Sequence, residues 1–349
     1  MKKRQKNYLS EMQLIPPTIW AIGFVTLLMN SSTIIIFSLM PVYLTATLGL
    51  SYAALGTYEG FIESTSWIVR IFSGPISDML AKRKLLLVIA CSCTAVSRVI
   101  FPYAPTVRMI IFARIIDRIG NGLQASPREA LIGDVSPPNM KGASYGLRQT
   151  LALIGSFSGA ILAIYVLKLT HNNYHTAFWV AVIPSLLAVI LVMLFVKDAK
   201  SSYHKVKKSL FHIFAPQKIK QLNTKFLRVV IFAGIFMLSY YSGSFSILQA
   251  KAVGLSEDKI PLVMVIQNLM GFLVAFPIGW LSDRFGRNHF LRLGCVFNMI
   301  GNLLLSQDHL MTVLCGIGIW GAQLGMMGGL ISTKIAENAP QELRATAFA

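Results

Sequence analysis

Apolar residues gather into ten long runs, near 18–46, 52–73, 85–104, 107–127, 143–167, 175–197, 226–249, 259–281, 289–306 and 310–332, separated by short polar or Gly/Pro-bearing breaks. A helix crosses the roughly 30 Å hydrocarbon core of a bilayer in about 20 residues, so each run is long enough for one crossing. The runs are continuous; a membrane barrel would show segments of about ten alternating residues. The pattern predicts an all-α integral membrane protein with about ten transmembrane helices. The one long polar stretch, 198–225, reads as a linker between a six-helix bundle over 18–197 and a second bundle over 226–349. Residues 1–17 form a short leading segment.

Composition strengthens this picture. Hydrophobic residues make up 54% and charged residues 13%, where a soluble domain carries roughly 25% charged. The net charge of +18 invites a nucleic-acid reading, which its distribution removes. With the N-terminus placed in the cytoplasm, 23 of the 32 Lys and Arg fall on cytoplasmic segments and 4, Arg108, Lys168, Lys251 and Lys259, on outer loops. That asymmetry sets the orientation and leaves no call on DNA or RNA. Nine of the 23 lie in 197–228, so the linker either rests against anionic lipid headgroups or is a plain solvated connection. Met1–Lys6 is basic and an apolar run follows, as in a secretory signal, but the run is too long for one; it reads as an uncleaved first helix.

The chain repeats itself. Gly74-Pro75-Ile76-Ser77-Asp78 recurs as Gly279-Trp280-Leu281-Ser282-Asp283, an offset of 205, and Asp134, Pro137, Lys141 and Tyr145 recur as Glu337, Pro340, Arg344 and Phe348, an offset of 203. Two matches at nearly one offset imply a duplicated bundle. Gly279-x-x-x-Asp283-Arg284-x-Gly286-Arg287 resembles the loop signature of the major facilitator superfamily. The first copy departs from it: Met79 stands where Arg is usual and Ala81 where Gly is usual, while Lys82 and Arg83 keep the charge. Asp117-Arg118-Ile119-Gly120-Asn121-Gly122 and Pro127-Arg128-Glu129-Ala130-Leu131 add to the likeness and resemble one broad bacterial branch. The resemblance implies two pseudosymmetric six-helix bundles around a central cavity, alternating access driven by an ion gradient, and residence in the bacterial inner (plasma) membrane. It also implies gating loops built on Gly74, Asp78, Lys82, Arg83, Gly279, Asp283, Arg284, Gly286 and Arg287. An Asp at a helix end can accept hydrogen bonds from the open N-terminus of a facing helix. By pseudosymmetry Asp283 is expected at the start of span five, near Gly142–Ala143, and Asp78 at the start of an eleventh span. On the same repeat, Arg344–Ala349 matches the start of span five, and the sequence stops there. The expectation is ten helices of twelve, a truncated chain. Its functional alternative to a transporter is then a transport-inactive remnant or partner subunit.

Eight ionisable residues fall inside the first five spans: Glu59, Glu63, Arg70, Arg98, Arg114, Asp117, Arg118 and Arg148. A charge at a helix centre costs about 2.5–3.5 kcal/mol on insertion scales, so these should face one another or water. At about 100° per residue, Glu59, Glu63 and Arg70 form one stripe on span two, and Glu63 and Asp117 lie at similar depth. Glu59, Glu63, Asp117, Arg118 and Arg114, with Asn30 on span one, are the candidate lining of the cavity. A carboxylate there is a candidate carrier of the coupling proton, protonated because burial disfavours its charge and released by Arg118. The alternative is a static charge network that locks spans two and four together. Arg70, Arg128 and Arg148, near cytoplasmic helix ends, are expected to snorkel or to brace the loop rather than to touch solute, and Arg98, near the outer end of span three, likewise not to touch solute. Asn30, Ser31, Tyr240, Tyr241, Gln267, Asn268 and Gln323 either reach the cavity or hydrogen-bond between helices. Gly155-Ser156-Phe157-Ser158-Gly159 is a small-residue packing element, and Gly159-Ala160 replaces the Gly-Pro pair common in family antiporters.

Cys91, Cys93, Cys295 and Cys315 lie in apolar runs without a Cys-x-x-Cys pair and read as packing residues; His171 and His175 sit in a short connection rather than a metal constellation. No Gly-x-x-x-x-Gly-Lys-Ser/Thr fingerprint occurs, which argues against an ATP-driven pump. No catalytic triad, metal or cofactor is expected, and the chain is not read as an enzyme. The expected partners are a small organic solute, a coupling ion (H⁺) and membrane lipid, with the protein a monomer if complete. The excess of Arg over acids within the spans hints at an anionic or zwitterionic solute.

Overall fold

The structure, a computed structural model, describes residues 14–44, 48–49, 51–80, 82–104, 106–171, 173–198, 224–239, 246, 249–250, 252–255, 261–339 and 344–348. Among them every regular element is helical: α1 (Pro17–Val42), α2 (Tyr52–Leu80), α3 (Arg83–Ile100), α4 (Val107–Val135), α5 (Lys141–Leu169), α6 (Tyr174–Phe195), α7 (Thr224–Leu238), α8 (Pro261–Phe285), α9 (Arg287–Leu305), α10 (Leu310–Asn338) and the short α11 (Arg344–Phe348). Short 3₁₀ turns, Phe101–Tyr103 and Pro138–Met140, close α3 and lead into α5. Local signals set several boundaries. Pro17 starts α1, where a missing N–H costs no intrahelical bond. Thr106 Oγ1 accepts the Met109 amide (3.4 Å) ahead of α4, and Asn173 Oδ1 accepts the Thr176 amide (3.2 Å) ahead of α6. Between α8 and α9 the chain turns at Gly286 with φ 87°, a left-handed conformation that strains a residue with a Cβ. Its counterpart by the repeat, Ala81, lies outside the described residues, as do most of the linker over 198–225, Tyr240 and Tyr241.

Each of the ten expected spans overlaps one long helix. Six of these are long and apolar enough to cross a membrane: Pro17–Met40, Arg83–Tyr103, Pro138–Leu169, Tyr174–Phe195, Leu262–Phe285 and Leu310–Asn338, the second and third counting the adjoining 3₁₀ turns. The helices α2 and α4 are 29 residues each but carry the ionisable residues noted above, and α7 runs only 15 residues. The distribution of polarity is inverted relative to a soluble protein. Ile183, Ile190, Leu194 and Phe195 on α6 are exposed, while Arg83, Arg98, Arg114 and Asp117 are at most 1% exposed. Such an arrangement suits an apolar solvent outside and a polar seam inside.

The duplication is visible in the packing. α2 packs on α4 as α8 packs on α10, and α3 on α4 as α9 on α10. The two halves meet where α5 lies against α8 and α10, and where α11 lies against α2 and α4. At the α5–α8 crossing, Gly279 and Gly142 bring backbone against backbone, so that a Cβ on either would strike the carbonyl of the other. Gly155 and Gly159 pack α5 just as closely on α1, over the carbonyls of Leu27 and Ser31.

Candidate functional site

Two groups of charged side chains line the seam between helices. The first lies in the middle of the N-terminal half. Asp117 on α4 is 1% exposed and receives three guanidinium groups: Arg98 Nη2 on its Oδ1 at 2.9 Å, and Arg118 Nη2 at 2.8 Å and Arg114 Nη1 at 3.7 Å on its Oδ2. The outer faces of two of these arginines turn to α2. Arg118 Nη1 donates to Glu63 Oε1 at 3.0 Å and Arg114 Nη2 to Glu59 Oε2 at 3.3 Å. Three arginines and three carboxylates therefore form one closed network, matched charge for charge. Its members differ in exposure: the side chain of Asp117 is 1% exposed, that of Glu59 26% and that of Glu63 44%. Asp117 is held; Glu63 is the most exposed of the three carboxylates.

Arg98, expected near the outer helix end and clear of solute, is fully buried, pairs with Asp117, and donates from Nε to Ser32 Oγ (3.0 Å) and from Nη2 to Thr33 Oγ1 (2.9 Å) on α1. A signal for this lay in the spacing. Leu87, Cys91, Thr94 and Arg98 are the buried face of α3, separated by four, three and four residues, so Arg98 shares the stripe turned to the bundle. Asn30, a candidate for the cavity, instead donates Nδ2 to the Ala152 carbonyl (3.1 Å) and to Ser156 Oγ (3.5 Å), tying α1 to α5. Asn268 bonds back to its own helix at Met264, and Gln267 and Gln323 keep a buried Oε1 without a hydrogen bond among the described residues. Among the same residues no group of three or more His, Cys, Asp or Glu has metal-binding geometry. His175 Nδ1 lies 2.9 Å from the Pro102 carbonyl.

The second group closes one end of the bundle, where both repeated loops lie. Asp283 accepts the Gly142 amide (3.0 Å) and the Ala143 amide (2.9 Å) at the start of α5. Asp78 accepts the amide (2.7 Å) and hydroxyl (2.8 Å) of Thr346 in α11. Each contact crosses from one half to the other and places a carboxylate on a helix N-terminus, where its charge meets the open N–H groups. An arginine backs each aspartate. Arg287 pairs with Asp283 and with Glu337 (2.6 Å) at the end of α10. Arg83 pairs with Asp78 (3.4 Å) and with Asp134 (2.7 Å) at the end of α4. Asp134 also pairs with Arg344 of the other half, and Lys141 Nζ reaches the Ala336 carbonyl at 3.4 Å. Of the remaining loop residues, Gly74 is buried on α2, Arg284 stacks on the Trp280 ring at 4.1 Å, and Lys82 precedes α3.

A third, smaller cluster lies between the two. Arg128 Nη2 (3.3 Å) and Arg148 Nη2 (3.4 Å) share Glu129 Oε1. Arg70 donates from Nε (3.4 Å) and Nη2 (3.2 Å) to the Phe348 carbonyl.

A family model described as Major Facilitator Superfamily matches residues 16–349. An uncharacterized MFS-type transporter of Methanocaldococcus jannaschii is 24% identical over 354 residues, covering 99% of this chain and 86% of the relative. Among solved structures, the human organic anion transporter MFSD10 (TETRAN) superposes with a TM-score of 0.75 at 13% identity, over 95% of this chain and 88% of that one. The proton:xylose symporter XylE bound to 6-bromo-6-deoxy-D-glucose superposes with a TM-score of 0.70 at 18% identity, over 95% and 84%. At these identities the likeness to the solved structures is one of fold.

Proposed function

The chain belongs to the major facilitator superfamily, and from that premise we propose that it is a secondary transporter, a monomer that carries a small organic solute across the bacterial inner membrane by alternating access, coupled to protons. The single observation that supports this best is the pair of mirror-related contacts, Asp283 on the α5 amides and Asp78 on Thr346, that cross between the halves at one end. Contacts of this kind hold that end shut in one access state and must break for the other. The surplus of Lys and Arg on the loop side supports placing that end, and the N-terminus, in the cytoplasm. On this reading the ten long helices all cross the bilayer, the charged ones shielded by their neighbours.

Within the middle network the roles divide by exposure. Asp117, enclosed by three guanidiniums, serves as the fixed counter-charge. Glu63, open to water and paired through one oxygen with Arg118, takes up the coupling proton and returns it when the pair re-forms. Glu59 plays the same part toward Arg114 with less access to water. Chemistry of this kind needs no cofactor and no nucleotide.

The test is proton movement into vesicles. Proteoliposomes loaded with a pH-sensitive dye should acidify or alkalinise when a solute from a broad metabolite panel is added. The Glu63→Gln variant should bind the same solute and lose the pH signal. A Glu63→Gln protein whose transport still depends fully on the proton gradient would remove Glu63 as the coupler.

A further inference from the structure

The charge balance of the arginines between the helices changes along α4. In the middle network, Arg98, Arg114 and Arg118 are answered one for one by Asp117, Glu59 and Glu63. One step toward the closed end, Arg128 and Arg148 share the one carboxylate of Glu129, and Arg70 pairs with no acid among the described residues, its hydrogen bonds going to the Phe348 carbonyl. Arg148 is 8% exposed and Glu129 5%. Among the described residues this cluster holds three guanidiniums to one carboxylate, Arg148 buried and Arg70 and Arg128 partly exposed, and its positive field favours an anion nearby.

Between the balanced and the unbalanced groups lies a cavity of about 120 Å³. Glu63 and Arg118 form one wall, Arg70 another, and Ser66, Trp67 and Asn121 complete the lining used here. A cavity of this size holds a ligand on the order of one aromatic ring. The Trp67 ring, with Arg70 over it at 5.4 Å, offers an apolar flank to the body of such a ligand. Arg118 and Arg70 offer donors suited to a carboxylate.

We infer that the solute is a compact organic carboxylate that binds between Arg118 and Arg70 and replaces Glu63 on Arg118 once Glu63 is protonated. This rests on the reading of the chain as a proton-coupled transporter. Arg118 Nη1 meets Glu63 Oε1 at 3.0 Å, while its Nε and Nη2 stay on Asp117. A proton on Glu63 therefore frees one donor edge facing the cavity without unseating the arginine. Arg118, with Asp117 and Arg114 behind it, faces Glu63 from α4; Glu59 and Arg70 stand on its own helix. From α3, Arg98 is occupied by Asp117 and Arg83 lies at the far end; from α11, Arg344 is occupied by Asp134. One carboxylate and one proton enter together, so the network stays as neutral loaded as empty. Carriage of a monocarboxylate follows the pH gradient and ignores the membrane potential.

The experiment compares isosteres on the purified full chain. Binding of benzoate and lactate is measured by calorimetry in detergent against benzamide and lactamide, at mildly acidic and at neutral pH. The carboxylates are expected to bind about tenfold or more tighter than their amides, and tighter in acid than at neutrality. Glu63→Gln should bind the carboxylates at neutral pH as the unaltered protein does in acid. Arg70→Gln should weaken carboxylate binding by about tenfold and leave the amides unchanged. Equal binding of amides and carboxylates, binding that strengthens as pH rises, or no binding of any carboxylate at millimolar concentration overturns the inference. Proteoliposomes separate it from the transport reading. Carboxylates that bind in this pattern but move no protons keep the site and remove the transporter. A neutral or cationic solute carried with protons, and not displaced by the carboxylates, keeps the transporter and removes this solute class.

Discussion

The two copies of the repeated loop reach one result with different parts. In the second half, Asp283 is held by two backbone amides and by Arg287, four residues on and across the turn at Gly286. In the first, Asp78 is held by one amide and one hydroxyl of Thr346 and by Arg83, five residues along. Arg83 stands one position away from the counterpart of Arg287, yet each joins its aspartate to the acid at the end of the fourth helix of its own half, Asp134 or Glu337. What the duplication has kept is a triangle of charges rather than a register of residues. The copies also differ in burial. Arg83 and Asp134 are sealed, with side-chain exposures of 2% and 0%, whereas Arg287 and Glu337 are at 14% and 28%. The first triangle should then carry more of the stability of the closed end and the second should yield first.

Replacements on matched positions put that ranking at risk. The largest effect is expected for Arg83→Ala, which leaves Asp78 and Asp134 short of a buried partner; a loss of about 3–5 kcal/mol should lower the unfolding midpoint in detergent well below that of any change in the other copy. Arg287→Ala should cost less, about 1–2 kcal/mol, since Asp283 keeps its two amides and Glu337 is partly solvated. If the two variants unfold together, burial does not distinguish the copies. Asp283→Asn weakens two charge-assisted bonds and should cost roughly 1–3 kcal/mol. Its specific sign is faster hydrogen exchange of the amides of Gly142 and Ala143, with the α11 amides unchanged; Asp78→Asn should do the reverse. The smallest expected effect is that of Gly286→Ala, about 1 kcal/mol, because φ of 87° strains an alanine. A tighter turn after that change would contradict the left-handed geometry.

Much of the scaffold was legible before any coordinates. Long apolar runs fix helices because a helix satisfies its own backbone in lipid; the runs match the starts of α1–α10 to within two residues, while α2, α4 and α10 continue six to eight residues past the end of their runs and the expected C-terminal part of α7 lies outside the described residues. The repeat offsets also located, by number, the amides that Asp283 meets. Less legible were the partners inside the seam. Periodicity could place Arg98 on the buried stripe of α3, but not on Asp117, because an arginine reaches along its helix by several ångströms and depth counted from the helix end misjudges it. For Asn30 the sequence left both a cavity role and a hydrogen bond between helices open, because polarity at mid-span serves either; the structure shows the bonds to Ala152 and Ser156. A third repeat went unseen for a similar reason. Gly122 over the Ser66 carbonyl and Gly325 over that of Gly271 keep the offsets of 203 and 205, but glycines abound in such helices and carry no side-chain label.

The crossing of α5 and α8 has a mechanical consequence. Where Gly142 and Gly279 touch, backbone meets backbone, and the side chains that reach the contact are those of Ser282 and Asp283, so release of the Asp283 bonds leaves little else to unmesh there. The point of contact lies at the end of α5, a helix of 29 residues and therefore about 43 Å long at about 1.5 Å per residue. A rigid turn of about 10° about that point carries the distal tip through about 7 Å, while the atoms at the fulcrum hardly shift. On the transporter reading, the glycine pair sets the short arm of a lever whose long arm is the length of α5.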